Sequence, residues 1–190
     1  MPAAVKSAPE RVLAEVAQEP VSAPVPDPAP EPAPTGLVLA LEARRLSASL
    51  MATTLSYRLT LTNHTGAALS AVAIEGDMIA AHGQLPPEQQ VANCTQKLEL
   101  RHALAELGAG ESAEFSGEIR VPLELITPIR AGTAAYFVPL ARFRVEAGPV
   151  VIAQTFVVGG TPDQPGAALR PFRLDLGPRT YSKIGQRAVG

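Results

Sequence analysis

Leu55-Ser56-Tyr57-Arg58-Leu59-Thr60-Leu61-Thr62 is the stretch that decides the fold. Apolar side chains take every second position and polar ones the positions between, the period of a strand with one face in a core and the other in water. Asn63-His64-Thr65-Gly66 follows as a turn, with Gly66 free to take a positive φ. Upstream, Leu37-Val38-Leu39-Ala40-Leu41 opens the folded region and leads to polar Arg44 and Arg45. Downstream, Leu69, Val72 and Ile74 begin a strand that reaches Ile79, and the polar segment 81–93, with Pro86-Pro87, reads as a loop. Residues 97–104 are expected to form a strand, although Leu100, Leu104 and Leu107 also fit a helical spacing. Gly108-Ala109-Gly110-Glu111 is a tight turn, after which Phe115, Ile119 and Val121 resume the alternation up to Pro122. Two further strands are expected at 134–145 and 150–158, joined by Glu146-Ala147-Gly148-Pro149, and a last edge strand at 169–176. With about seven strands, turn chemistry between them and no convincing internal helix, the expected class is all-β, a single antiparallel β-sandwich. A closed barrel is the alternative.

Residues 1–36 differ in kind. Ser7-Ala8-Pro9-Glu10 has the spacing of a helix cap, and Val12, Leu13 and Val16 would line one face of a short helix that is marginal alone in water. Seven of the nineteen prolines then fall within residues 20–34. Proline at nearly every second position blocks helix and sheet, leaving a polyproline II rod of about 45 Å, or a disordered leader. The expected organisation is a leader and Pro/Ala-rich spacer over 1–36, a sandwich over 37–176, and a basic, loosely ordered tail over 177–190.

Charge is uneven. The net charge is −2 overall, but residues 168–190 carry Arg170, Arg173, Arg179, Lys183 and Arg187 against Asp175 alone. A basic segment on a mildly acidic body favours an acidic protein partner or an anionic surface. Five dispersed cations are too few for nucleic acid to be expected. Arg170, Arg173 and Arg179 suit paired recognition of carboxylate or phosphate, and Phe172 and Tyr181 add apolar anchors, so these five residues are the candidate partner-binding set. An exposed edge-strand face would explain Arg173 and Asp175 equally well.

Two segments carry a resemblance. The run Leu55–Asn63 followed by Gly66-Ala67-Ala68-Leu69 is similar to the second strand of bacterial immunoglobulin-like, adhesion-related accessory domains. Leu107-Gly108-Ala109-Gly110-Glu111-Ser112 resembles the turn of the same group. The layout of spacer, sandwich and the closing Pro171-Phe172-Arg173-Leu174-Asp175-Leu176-Gly177-Pro178-Arg179-Thr180-Tyr181 also looks like a group of uncharacterised proteobacterial envelope proteins. The resemblance implies an immunoglobulin-like sandwich serving adhesion or assembly, with membrane proximity through an anchor that this chain does not contain. It implies no activity.

Other chemistry finds little support in the residues. The first twenty lack a basic start followed by an apolar stretch, and no apolar run is long enough to span a membrane. His64, His82, His102 and Cys94 share no metal-ligand spacing, and Cys94 lacks the surroundings of a nucleophile. Glu75 and Asp77 flank Gly76 but lack the further oxygen ligands calcium wants. The two Asn-X-Thr sequons, at Asn63 and Asn93, are expected to be idle. No cofactor, metal site or enzymatic activity is expected. The expected function is a structural or protein-interaction module of the cell envelope. The alternatives are a carbohydrate-binding domain, against which the absence of Trp counts, and a cytoplasmic scaffold.

Overall fold

The computed structural model describes residues 36–164 and 166–189. The leader helix and the Pro-rich spacer expected over 1–36 lie, but for Gly36, outside the described residues. The regular structure of the described chain is almost all strand: β1 (Gly36–Ala48), β2 (Ala52–His64), β3 (Leu69–Ala80), a single turn of helix α1 (Pro87–Gln90), β4 (Leu100–Leu107), β5 (Ser112–Pro122), β6 (Ile129–Ala131), β7 (Ala134–Phe137), β8 (Pro139–Ala147), β9 (Val150–Gly160), β10 (Phe172–Arg173), β11 (Arg179–Tyr181) and β12 (Ile184–Val189). They form a four-stranded sheet in the order β11-β1-β2-β5, a five-stranded sheet in the order β12-β9-β8-β3-β4, and a small sheet β10-β7-β6. Every described pairing is antiparallel.

The two larger sheets share one core. β2 buries Leu55, Tyr57, Leu59 and Leu61, and β3 and β8 contribute Val72, Ile74, Phe143 and Val145 from the other sheet. Tyr57 meets Phe143 edge-on across the gap, with ring centroids 5.4 Å apart. β1 buries odd positions up to Ala43 and even ones from Leu46, because a bulge between Ala43 and Arg45 resets its phase. The extra residue turns both Arg44 and Arg45 to water.

The differences from the sequence reading have local causes. The strand expected over 134–145 is two strands in different sheets. Pro139 has no N–H for a ladder and restricts Val138, so the chain changes sheet there. The strand expected at 97–104 lies three residues later, because Leu98 N–H is taken by the Glu75 carboxylate. The last edge strand contracts to Phe172–Arg173. The tail expected to be loosely ordered instead forms β11 on the edge of β1 and β12 on the edge of β9. The edge of β1 provides one reason: β11 covers only Leu46–Ala48 of it, and beyond that the Gln186 side chain of β12 accepts from the Ala43 N–H at 3.0 Å. That bond ties one large sheet to the other.

Asn63 is fully buried and joins two turns. Its Nδ2 donates to the carbonyls of Ala67, Leu107 and Gly108 at 2.7, 3.0 and 3.0 Å. Its Oδ1 accepts from the N–H and hydroxyl of Thr65 at 2.9 and 2.7 Å. The amide that a sugar would need is thus already committed. Asn63→Ala strands these carbonyls, and a loss of about 2 kcal/mol is expected. Urea unfolding should show a lower midpoint with an unchanged m-value.

Candidate interaction surfaces

The structure gathers three of the five sequence-predicted residues. Phe172 is 1% exposed and packs on the half-buried Tyr181 ring at 4.8 Å. The Tyr181 hydroxyl donates to the Arg173 carbonyl at 2.9 Å. Arg173 forms a two-pronged pair with Asp175 and lies 5.4 Å from the centroid of the Tyr136 ring. The Arg173 guanidinium, then the Ala135 N–H, hold the Asp175 carboxyl well below the usual carboxylate range. Arg170 and Arg179 stand apart from this group. Arg170 donates to Asp163 at 2.6 Å, and Arg179 donates to the Leu176 carbonyl at 3.2 Å. Both are exposed. The two aromatic rings therefore fasten the segment to the core, and each arginine already has an oxygen of its own chain.

The histidines and the cysteine are scattered. His64 is an exposed residue at the end of β2, the His82 Nδ1 accepts from Gln84 N–H at 3.2 Å, and Cys94 is exposed. Among the described residues no group of three or more His, Cys, Asp or Glu is placed to hold a metal. His102 stacks on Phe115, and its Nε2 lies 3.1 Å from the Tyr57 hydroxyl. Burial, then the Arg101 cation, hold the His102 imidazole below its ordinary value. Burial pushes the Tyr57 phenol up, against the pull of Arg101. Both groups are neutral at neutral pH and make a polar seam between β4 and the core.

Glu75 and Asp77, weighed above as cation ligands, are paired with arginines of β8. Arg144 reaches Glu75 at 3.2 Å and Glu146 at 2.8 Å, and its Nε donates to the Cys94 carbonyl at 2.8 Å. Arg142 makes a two-pronged pair with Asp77. Lys97 closes the group against Glu75 and Glu146. Burial works to raise the Glu75 carboxyl, but the Leu98 N–H, Arg144 and Lys97 outweigh it, and its pKa falls below the ordinary value. The network clamps the 94–98 segment over the outer face of β3 and β8.

Among the described residues, three of the seven exposed large apolar side chains lie at one end. Leu50 and Met51, in the β1–β2 turn, are 76% and 73% exposed, and Leu125 is 70% exposed. Leu123 N–H donates to the Met51 carbonyl at 2.9 Å, so the turn lies against the 3₁₀ turn Leu123–Leu125. One shallow hollow is lined by Leu50, Met51, Arg120 and Leu123, and a second, with Leu125, shares Arg120 and Pro122 with it. A third shares Leu123 and runs to Arg130, Leu174 and Asp175, which puts the Arg173–Asp175 pair at the margin. The sequence marks this end by a single signal, the apolar pair Leu50-Met51 set between two alternating runs where a polar turn belongs.

In comparisons with family models, curated proteins and solved structures, nothing matched the chain.

Proposed function

We propose that the chain is a non-enzymatic protein-interaction or structural module of the bacterial cell envelope, an immunoglobulin-like sandwich carried on the Pro-rich segment. The strand order supports the sandwich. β1, β2 and β5 lie in one sheet and β4, β3, β8 and β9 in the other, seven strands to which β6, β7, β10, β11 and β12 are additions. The observation that carries the interaction role is the apolar end. Leu50 and Met51, 76% and 73% exposed, line one hollow there with Arg120 and Glu124, and Leu125, 70% exposed, lines the adjoining one; neither Arg120 nor Glu124 forms an ion pair among the described residues. A grouped apolar patch with a charged rim is how a protein–protein contact presents itself. The rim carries both signs, Arg120 and Arg130 with Glu124 and Asp175, and suits a partner with a complementary mixed rim.

The test is the double variant Leu50→Glu with Met51→Glu. Both side chains lie in water, so the melting temperature is expected to stay within a few degrees of the parent. Crosslinking and co-purification from cells are expected to retrieve an envelope protein with the parent and to lose it with the variant. Undiminished capture would remove the apolar end from the proposal, and fractionation of the chain to the cytoplasm would remove the envelope.

A further inference from the structure

The body treats its two sides differently. On the side of β1 and β9, strands β11 and β12 cover the sheet edges, and Gln186 bridges them. On the other side, β5 ends the four-stranded sheet with no neighbour among the described residues. It runs for eleven residues, pairs with β2 without a register break, and has its only proline at its last position. A long, regular edge is a template for another strand unless something blocks it.

The hydrogen-bond phase of this edge can be read at both ends. Asn63 N–H donates to the Glu111 carbonyl, and Leu123 N–H donates to the Met51 carbonyl. Odd-numbered residues therefore carry the ladder to β2, and the backbone groups of Glu114, Ser116, Glu118 and Arg120 turn outward. All four residues are exposed.

We propose that this edge joins two copies of the chain, paired antiparallel about a two-fold axis at Gly117. Length and charge together select that register: it pairs β5 with its copy over the whole of Ser112–Pro122, whereas an axis at Ile119, which also opposes Glu118 and Arg120, pairs only 116–122. The axis at Gly117 sets Glu114 opposite the partner's Arg120 and Ser116 opposite the partner's Glu118, each twice by symmetry. A shift of the axis to Ser116 sets Glu114 against the partner's Glu118, and a shift to Glu118 sets that carboxylate against itself. Like charges directly opposite are unfavourable, and opposite charges are favourable. The odd-numbered side chains stay in each copy's own core, and the pairing joins two four-stranded sheets into one continuous sheet. The contact is isologous, so it closes at the dimer and leaves no β5 edge to propagate. Of its outward-facing residues it shares only Arg120 with the apolar end, and Glu114→Arg, which touches none of the residues lining the hollows there, tests the edge by itself.

Sedimentation velocity on the full chain over a dilution series tests this. The parent is expected to show a species of twice the 19.8 kDa chain mass. Glu114→Arg alone and Arg120→Glu alone each place like charges opposite twice per dimer, and dimerisation is expected to weaken by about tenfold or more. The two changes combined restore opposite charges in the same register, and the dimer is expected to return. That rescue separates a broken contact from a misfolded variant. A parent that stays monomeric up to about 0.5 mM, single variants that dimerise like the parent, or a double variant that stays monomeric would each overturn the proposal.

Discussion

Phe172→Ala is expected to destabilise the protein by about 3–5 kcal/mol. The ring is 1% exposed and among the largest fully buried side chains. It belongs to a strand of only two residues, whose ladder to β7 consists of the pairs Phe172↔Phe137 and Arg173↔Tyr136. So short a ladder holds little by itself, and the side chain does the fastening. Removing the ring opens a cavity against Phe137 and Tyr181, both of which it helps to place. Tyr181 in turn sets the register of β11 on β1 through its pairing with Leu46. At roughly 2–4 °C per kcal/mol for a domain of this size, a melting temperature about 10 °C lower is expected. Arg173→Ala is the control. Its pair with Asp175 lies at the surface, where water screens it, so a smaller loss than for Phe172→Ala is expected. If Phe172→Ala melts like the parent, the C-terminal segment is not fastened through this ring. If Arg173→Ala costs more than Phe172→Ala, the charges and not the ring hold it.

That contrast shows what the sequence could and could not convey. β2 and β5 were legible because each has one face in the core and one in water, so the side chains alternate as the backbone does. β8 lies between β9 and β3 and is covered on both faces, with Pro139 to Val145 all buried. No period survives there, and its two buried arginines look like surface residues until their partners on β3, Glu75 and Asp77, are brought alongside by the register Arg144↔Glu75 and Arg142↔Asp77. The tail's charge does not show how local pairing uses it. Asp163 lies just outside the basic stretch and takes up Arg170, while Asp175 takes up Arg173. β11 and β12 are too short to announce themselves by pattern, and their order comes from edges elsewhere in the chain. The apolar end depends on the meeting of residues 50–51 with 123–125, which only the β2–β5 pairing produces.

Arg144→Ala is expected to cost about 3 kcal/mol, the lower end of the range for breaking a buried ion pair. The side chain is 6% exposed and Glu75 is 11% exposed, whereas Glu146 at 39% keeps access to water and holds the figure down. The change leaves Glu75 buried without its main cation, with Lys97 3.7 Å away as the remaining one, and frees the Cys94 carbonyl. Replacing both members, Arg144→Met with Glu75→Met, removes the charge that would be stranded, and most of the loss is expected to be recovered. The pair also dictates a pH dependence. The Glu75 carboxyl lies below its ordinary 4.5 in the folded chain, so its contribution is complete above that value and is lost as the pH falls through the folded value. Glu146 and Asp175 are lowered as well and act in the same direction. Urea midpoints measured from pH 7 downward are therefore expected to fall below about pH 4.5 in the parent and to fall less in the double variant that lacks both charges. An Arg144→Ala protein as stable as the parent at pH 7, or equal acid slopes in parent and double variant, would show that the network adds nothing to the fold and that the 94–98 segment is held over the sheet by its backbone alone.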